Sequence, residues 1–166
     1  GYFKKPEYGS LTDQAAPVSN RDKAVYPRFE TYTKQFRIKR IFEGIDYEGG
    51  LAFEGAKAKG TGEKAFPARV MLFRKDTLFI KIASTDFLFS ANGLNSQETS
   101  ATMYLGADSV YHSNLGFSYN AGTKQVNLFR TNNPVSGSPY FNTYHEMDMY
   151  FESLTWDMNS PIVIIS

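Results

Sequence analysis

Along most of this 166-residue chain, apolar side chains recur with a period of two. Phe36, Ile38 and Phe42 fall on one side of a stretch whose other side carries Arg37 and Lys39. Leu51 and Phe53 alternate with Ala52 and Glu54, and Leu78, Ile80 and Ile82 alternate with Phe79 and Lys81. Val70 and Leu72 alternate with Met71 and Phe73, a pattern for a segment buried on both faces. Further short runs cover 86–89, 101–105, 115–119, 125–130 and 147–156, and an apolar run of Ile and Val closes the chain. Successive side chains of an extended strand point to opposite faces, so each run predicts a strand. No stretch of a dozen residues carries a clean helical stripe.

Turn-forming residues punctuate these runs at 48–50, 60–62, 75–76, 92–93, 106–108 and 121–122. The clearest hairpin is 120–124, between Phe117 and Tyr119 on one arm and Val126 and Leu128 on the other, with Gly122 suited to a left-handed position. About ten short strands joined by Gly-rich turns predict an all-β single domain, an antiparallel β-sandwich or jelly-roll-like fold. The alternative is a stacked, β-solenoid-like sheet, and the lack of a repeat at fixed period counts against it. Residues 1–27, polar and carrying Pro6, Pro17 and Pro27, read as an irregular N-terminal arm or linker, and 28–166 as the β domain.

Composition narrows the chemistry. Eighteen basic against 17 acidic residues leave a net charge of +1, so no global field draws the chain to nucleic acid or an anionic membrane. The longest aliphatic run, Ile162 to Ile165, is far below the ~20 residues that a helix needs to cross a bilayer. With no cysteine there is no disulfide, thiolate nucleophile or thiolate metal site. Aromatic residues reach 16%, with 14 Phe and 11 Tyr against one Trp. A thiol-free chain rich in Tyr and Asn suits an extracytoplasmic bacterial setting. The start at Gly1 and the stop within an apolar run read as an excised piece of a longer chain.

Residues 144–152 form the densest cluster of reactive side chains. On one continuous strand, Tyr144, Glu146, Asp148, Tyr150 and Glu152 share a face, and His145, Met147, Met149 and Phe151 the other. A row of carboxylates beside tyrosines suits calcium binding or acid–base work on a sugar. A solvated face opposite an apolar one explains the same alternation, and next neighbours on one strand face stand ~7 Å apart without facing each other across a substrate. The default is therefore Met147, Met149 and Phe151 buried, with Glu146, Asp148 and Glu152 in solvent. A zinc site with a bound water would need both histidines, His112 and His145, plus a carboxylate. The serines lack a nucleophile elbow. Glycine-rich segments 44–50 and 55–62 lack the order of a phosphate loop and read as turns and close backbone approaches. The basic run Lys34, Arg37, Lys39 and Arg40 reads as a solvated strand face or a protected sheet edge.

Aromatic residues placed on loops carry the one binding expectation. Tyr140 and Phe141 follow a segment rich in Asn, Ser and Pro, and Trp156 ends an amphipathic strand. Aromatic faces hold sugar rings through their C–H surfaces, so Tyr140, Phe141 and Trp156 form a candidate sugar platform, with at least two expected to be exposed and coplanar.

Several phrases resemble segments of very long β-rich envelope proteins of Bacteroidetes-type bacteria. They are Tyr47-Glu-Gly-Gly-Leu-Ala-Phe-Glu-Gly55, Leu105-Gly-Ala-Asp-Ser-Val-Tyr-His112, Gly116-Phe-Ser-Tyr119, Val126-Asn-Leu-Phe-Arg130 and Pro139-Tyr-Phe-Asn-Thr-Tyr-His145. A looser likeness, of rhythm only, is to the stacked sheets of lipopolysaccharide-transport domains. The resemblance implies an extracytoplasmic module (periplasm or cell surface) whose partners are the rest of its parent chain or another envelope component. It supplies no active residues. The expectation is a non-catalytic structural or interaction module with no cofactor, no metal and no catalytic residue. A carbohydrate-binding module is the alternative, and a hydrolytic domain acting on glycans the third reading.

Overall fold

The computed structural model describes residues 6–14, 24–132 and 134–166. Among the described residues, fifteen strands form one antiparallel hydrogen-bonded sheet. In chain order they are β1 (Gly9–Thr12), β2 (Arg28–Thr31), β3 (Phe36–Phe42), β4 (Ile45–Glu54), β5 (Lys57–Thr61), β6 (Ala68–Arg74), β7 (Thr77–Ser84) and β8 (Asp86–Ser90). The remainder are β9 (Gly93–Leu105), β10 (Asp108–Asn120), β11 (Gln125–Phe129), β12 (Tyr140–Asn142), β13 (Met147–Met149), β14 (Ser153–Asp157) and β15 (Val163–Ile165). One short 3₁₀ turn, Pro134–Gly137, lies between β11 and β12.

The pairing is a meander whose rows are interrupted strands. β2 and β3 lie end to end along β4, β5 and β6 along its other side, and β7 and β8 form the next row. β9 and β10 follow as long strands, and then β11 with β12 and β13 with β14 as two more broken rows. The breaks fall at one level in every row: between β2 and β3, at Gly49 and Gly50 in β4, at 62–67, at Thr85, at 96–99 in β9, at the register shifts of β10, at 130–139 and at 150–152. They make a crease that folds the sheet onto itself. Aromatic pairs join the two halves: Phe42 to Tyr119 at 5.3 Å, Phe79 to Trp156 at 4.7 Å, and Tyr47 to Phe89 at 5.1 Å. The inward side chains of both halves form one core cluster. The layering is thus sandwich-like and its connectivity an antiparallel meander.

Two glycines show why the crease forms where it does. Tyr47 is fully buried and donates its hydroxyl to the Gly50 carbonyl at 2.6 Å. A Cβ on Gly60 would stand 2.6 Å from that hydroxyl, and one on Gly49 would run into both it and Ala68. Only glycine lets the backbone close around the ring. Burial pushes the Tyr47 phenol above its ordinary range, so it stays a neutral donor.

Part of the stretch expected to be an irregular arm, Gly9–Thr12, is an edge strand pairing with β2. Residues 1–5 and 15–23 of that arm lie outside the described residues. The 120–124 hairpin is present, but its left-handed residue is Lys124 (φ 51°), and Gly122 has no such requirement. The Asn120 side chain makes the turn, its Oδ1 accepting from the N–H groups of Gly122 and Thr123 at 2.9 and 3.1 Å.

Candidate functional site

The expected sugar platform is not assembled. Tyr140 and Phe141 are neighbours on β12, so a period of two sends them to opposite faces: Tyr140 is buried and Phe141 is 44% exposed. Trp156 is fully buried against Phe79, and its indole N–H donates to the Ser160 carbonyl at 3.0 Å. The outward neighbour of Phe141 is Tyr111, its register partner on β10, 42% exposed on the same face. That pairing was readable only in outline, from Tyr111 lying between the inward-facing Val110 and His112.

The 144–152 segment is not one strand. Glu146 sits in a turn at φ 49°, β13 has three residues, and the chain breaks at 150–152 before β14. Glu146, Asp148 and Glu152 are exposed, as expected. Met147 is also exposed, because β13 pairs on one side only and begins directly after the turn. Met149 and Phe151 are partly buried, Phe151 stacking on Tyr140 at 3.7 Å. The break changes which residues face in, so Leu154 and Trp156 continue the core where strict alternation from Met149 would place residues 153 and 155. Asp148→Ala and Met147→Asp are both expected to leave stability within about 0.5 kcal/mol in urea unfolding, as surface substitutions do. A loss above about 2 kcal/mol from Met147→Asp would mean that this edge is covered.

The histidines have separate settings. His112 is 1% exposed in β10. The Asn114 backbone N–H reaches its Nδ1 at 3.0 Å and can only donate, so Nε2 carries the proton and donates to the Ser138 carbonyl at 2.9 Å. Arg130 Nη1 donates to the same carbonyl at 2.8 Å, and Arg130 Nε to the Phe151 carbonyl at 2.9 Å. Tyr140 is held between His112 and Phe151, and burial pushes its phenol up to about 12. This cluster fastens the 130–139 excursion to the sheet. His145 is exposed in the turn beside Tyr144. Among the described residues, no three His, Asp or Glu side chains converge to hold a metal.

Two of the grooves among the described residues are lined largely by charged and polar side chains. One follows the crease, about 470 Å³, with a polar lining that includes Asp86, Asn95, Gln97 and Glu98 beside Lys57 and Lys59. The Ser84 and Ser96 hydroxyls, 2.9 Å apart, close its floor. The other lies where hairpin tips of the two sheet halves meet. It measures about 410 Å³ and adjoins a smaller recess of about 230 Å³ that shares Arg40, Gly44, Phe73 and Asp76. The expected solvated basic run supplies one wall. Arg37 pairs with Asp46 at 2.8 Å, while the Arg40 backbone, left-handed at φ 52°, donates to the other oxygen of Asp46 at 2.9 Å. Across the groove Lys124 pairs with Glu43 at 2.7 Å, which lowers the Glu43 carboxyl and raises the Lys124 ammonium.

No known protein family, curated protein or solved structure matches the chain.

Proposed function

We propose that the chain is a non-catalytic structural or interaction module of a larger extracytoplasmic envelope protein. The observation that supports it is the use made of ionisable side chains. Arg28 and Lys59 hold Glu54, Arg69 holds Glu48 and Arg37 holds Asp46, each pair lying across adjacent rows of the sheet. Several pKa values move away from neutrality: Glu43 and Glu54 down through their lysine partners, Lys124 up through Glu43, and Tyr47, Tyr119 and Tyr140 up through burial. General acid–base catalysts are tuned the other way, towards the working pH. The envelope setting rests on the phrase-level resemblance. No helix among the described residues is long and apolar enough to cross a membrane.

Glycan binding is the second reading, favoured by the crease groove. Its Asn, Gln, Asp and Glu side chains suit sugar hydroxyls, and Phe141 with Tyr111 offers a separate aromatic face. A panel of chromogenic glycoside and ester substrates tests the non-catalytic reading, with no turnover expected. Turnover abolished by Asp86→Asn, Glu98→Gln or Asp148→Asn would overturn it. A glycan array read at high protein concentration tests the second reading, which requires binding weakened by Gln97→Ala or Phe141→Ala.

A further inference from the structure

We infer that the groove between the hairpin tips binds a small organic anion, its carboxylate or phosphate held by Arg40 and Lys75 and its apolar flank lying on Phe73 and Met158. The inference deepens the interaction-module reading, on which it rests, by naming a ligand class and a place.

The charges around the groove are divided unequally. Five cations line it and its adjoining recess, against three carboxylates. Arg37 and Lys124 are already matched by Asp46 and Glu43. Among the described residues, Lys39, Arg40 and Lys75 have no ion-pair partner, and Asp76 is the unmatched carboxylate. The excess is therefore positive and concentrated at one wall.

The backbone under these cations is held in place. Of the five non-glycine residues with positive φ among the described residues, four line this groove: Arg40, Lys75, Asp76 and Lys124. Lys75 and Asp76 form the two-residue turn between β6 and β7, where both central positions are left-handed at φ 49° and 63°. Asp46 fixes Arg40 by accepting its N–H, and the Gly44 carbonyl accepts the Phe73 N–H at 2.8 Å, locking the two tips of that wall together. Cations on such tips need little ordering when an anion arrives, and a guanidinium beside an ammonium recognises carboxylate or phosphate oxygens through charge-assisted bonds. Half-buried Phe73 and Met158 form an apolar floor beside them, so a bare inorganic ion would leave part of the site unused. The volume suits a small molecule.

Chemical-shift titration of the ¹⁵N-labelled chain tests this with four probes: inorganic phosphate, phenyl phosphate, acetate and phenylacetate. Saturable shifts are expected at Gly44, Lys75, Asp76, Lys124 and Asn159, with each phenyl-bearing anion binding tighter than its bare counterpart. The stronger of the phosphate and carboxylate arms identifies the head group. Arg40→Asn and Lys75→Asn, in a residue type that accepts left-handed backbone, should each weaken binding several-fold and together by tenfold or more. Lys64→Asn, which removes an exposed charge elsewhere, should not. Non-saturating shifts spread over the lysine-bearing surface, or saturable binding that the groove variants leave unchanged, would overturn the inference. The wild-type shift map stands even if a variant fails to fold. A negative titration leaves the module reading intact, whereas enzymatic turnover would remove that reading without touching the anion result.

Discussion

Trp156→Ala is expected to lower the unfolding free energy by about 3–5 kcal/mol, the usual cost of truncating a large buried aromatic. The Trp156 ring is fully enclosed, packs edge-on to Phe79 of the opposite half, and satisfies its N–H on Ser160. Truncation therefore opens a cavity at the seam between the two halves and frees the 157–160 turn. Because this is the sole tryptophan, unfolding should be followed by far-ultraviolet circular dichroism in urea. A loss below about 1 kcal/mol would show that the halves do not close on each other at this point. Trp156→Phe should recover part of the loss by refilling much of the volume.

Gly60→Val is expected to cost about 3 kcal/mol or more, or to prevent folding, because the new side chain meets the Tyr47 ring at 2.6–2.8 Å. Tyr47 has no room to yield, being fully buried with its hydroxyl bonded to Gly50. Gly106 is the control: its φ is +73° but nothing lies within 4 Å of an added Cβ. Gly106→Asn should cost no more than about 1 kcal/mol, since Asn tolerates the left-handed region. Measured by the same denaturation, equal losses at the two sites would mean that the enclosed Tyr47 ring does not set the requirement at Gly60. If Tyr47→Phe partly restores Gly60→Val, the phenolic oxygen is the obstacle. A fold that tolerates Gly60→Val unaided would remove the crease as an explanation for the doubled layer.

The site expectations fared unevenly, for reasons visible at single residues. Glu146, Asp148 and Glu152 could be placed in solvent without coordinates, because burying unpaired carboxylates is costly wherever the strand lies. Met147 was misplaced because alternation specifies two faces but not whether anything covers one of them. Tyr140 and Phe141 read as loop aromatics in the sequence, yet a three-residue strand, paired with β10 at Phe141 and Asn142 and with β13 at Tyr140, is enough to separate them onto opposite faces. The groove between the hairpin tips had one visible ingredient, the basic run at 34–40. Most of the rest of its lining comes from Phe73, Lys75, Asp76, Lys124, Met158 and Asn159, which no sequence spacing connects.

What the amino-acid order determines by itself is local: period-two alternation, turn residues and the absence of helical stripes require short antiparallel strands, because extended backbone alternates its faces whatever it packs on. That much includes the turns at 75–76 and 106–108, the hairpin at 120–124 and most of the inward-facing residues. The crease, the facing of the two halves and the meeting of the hairpin tips are decided only in the tertiary structure. They arise from a coincidence of small interruptions in successive rows, each harmless alone, that line up only once the rows are paired. Register carries that alignment, and register depends on contacts between residues far apart in the chain, such as Tyr47 with Phe87 and Phe79 with Trp156.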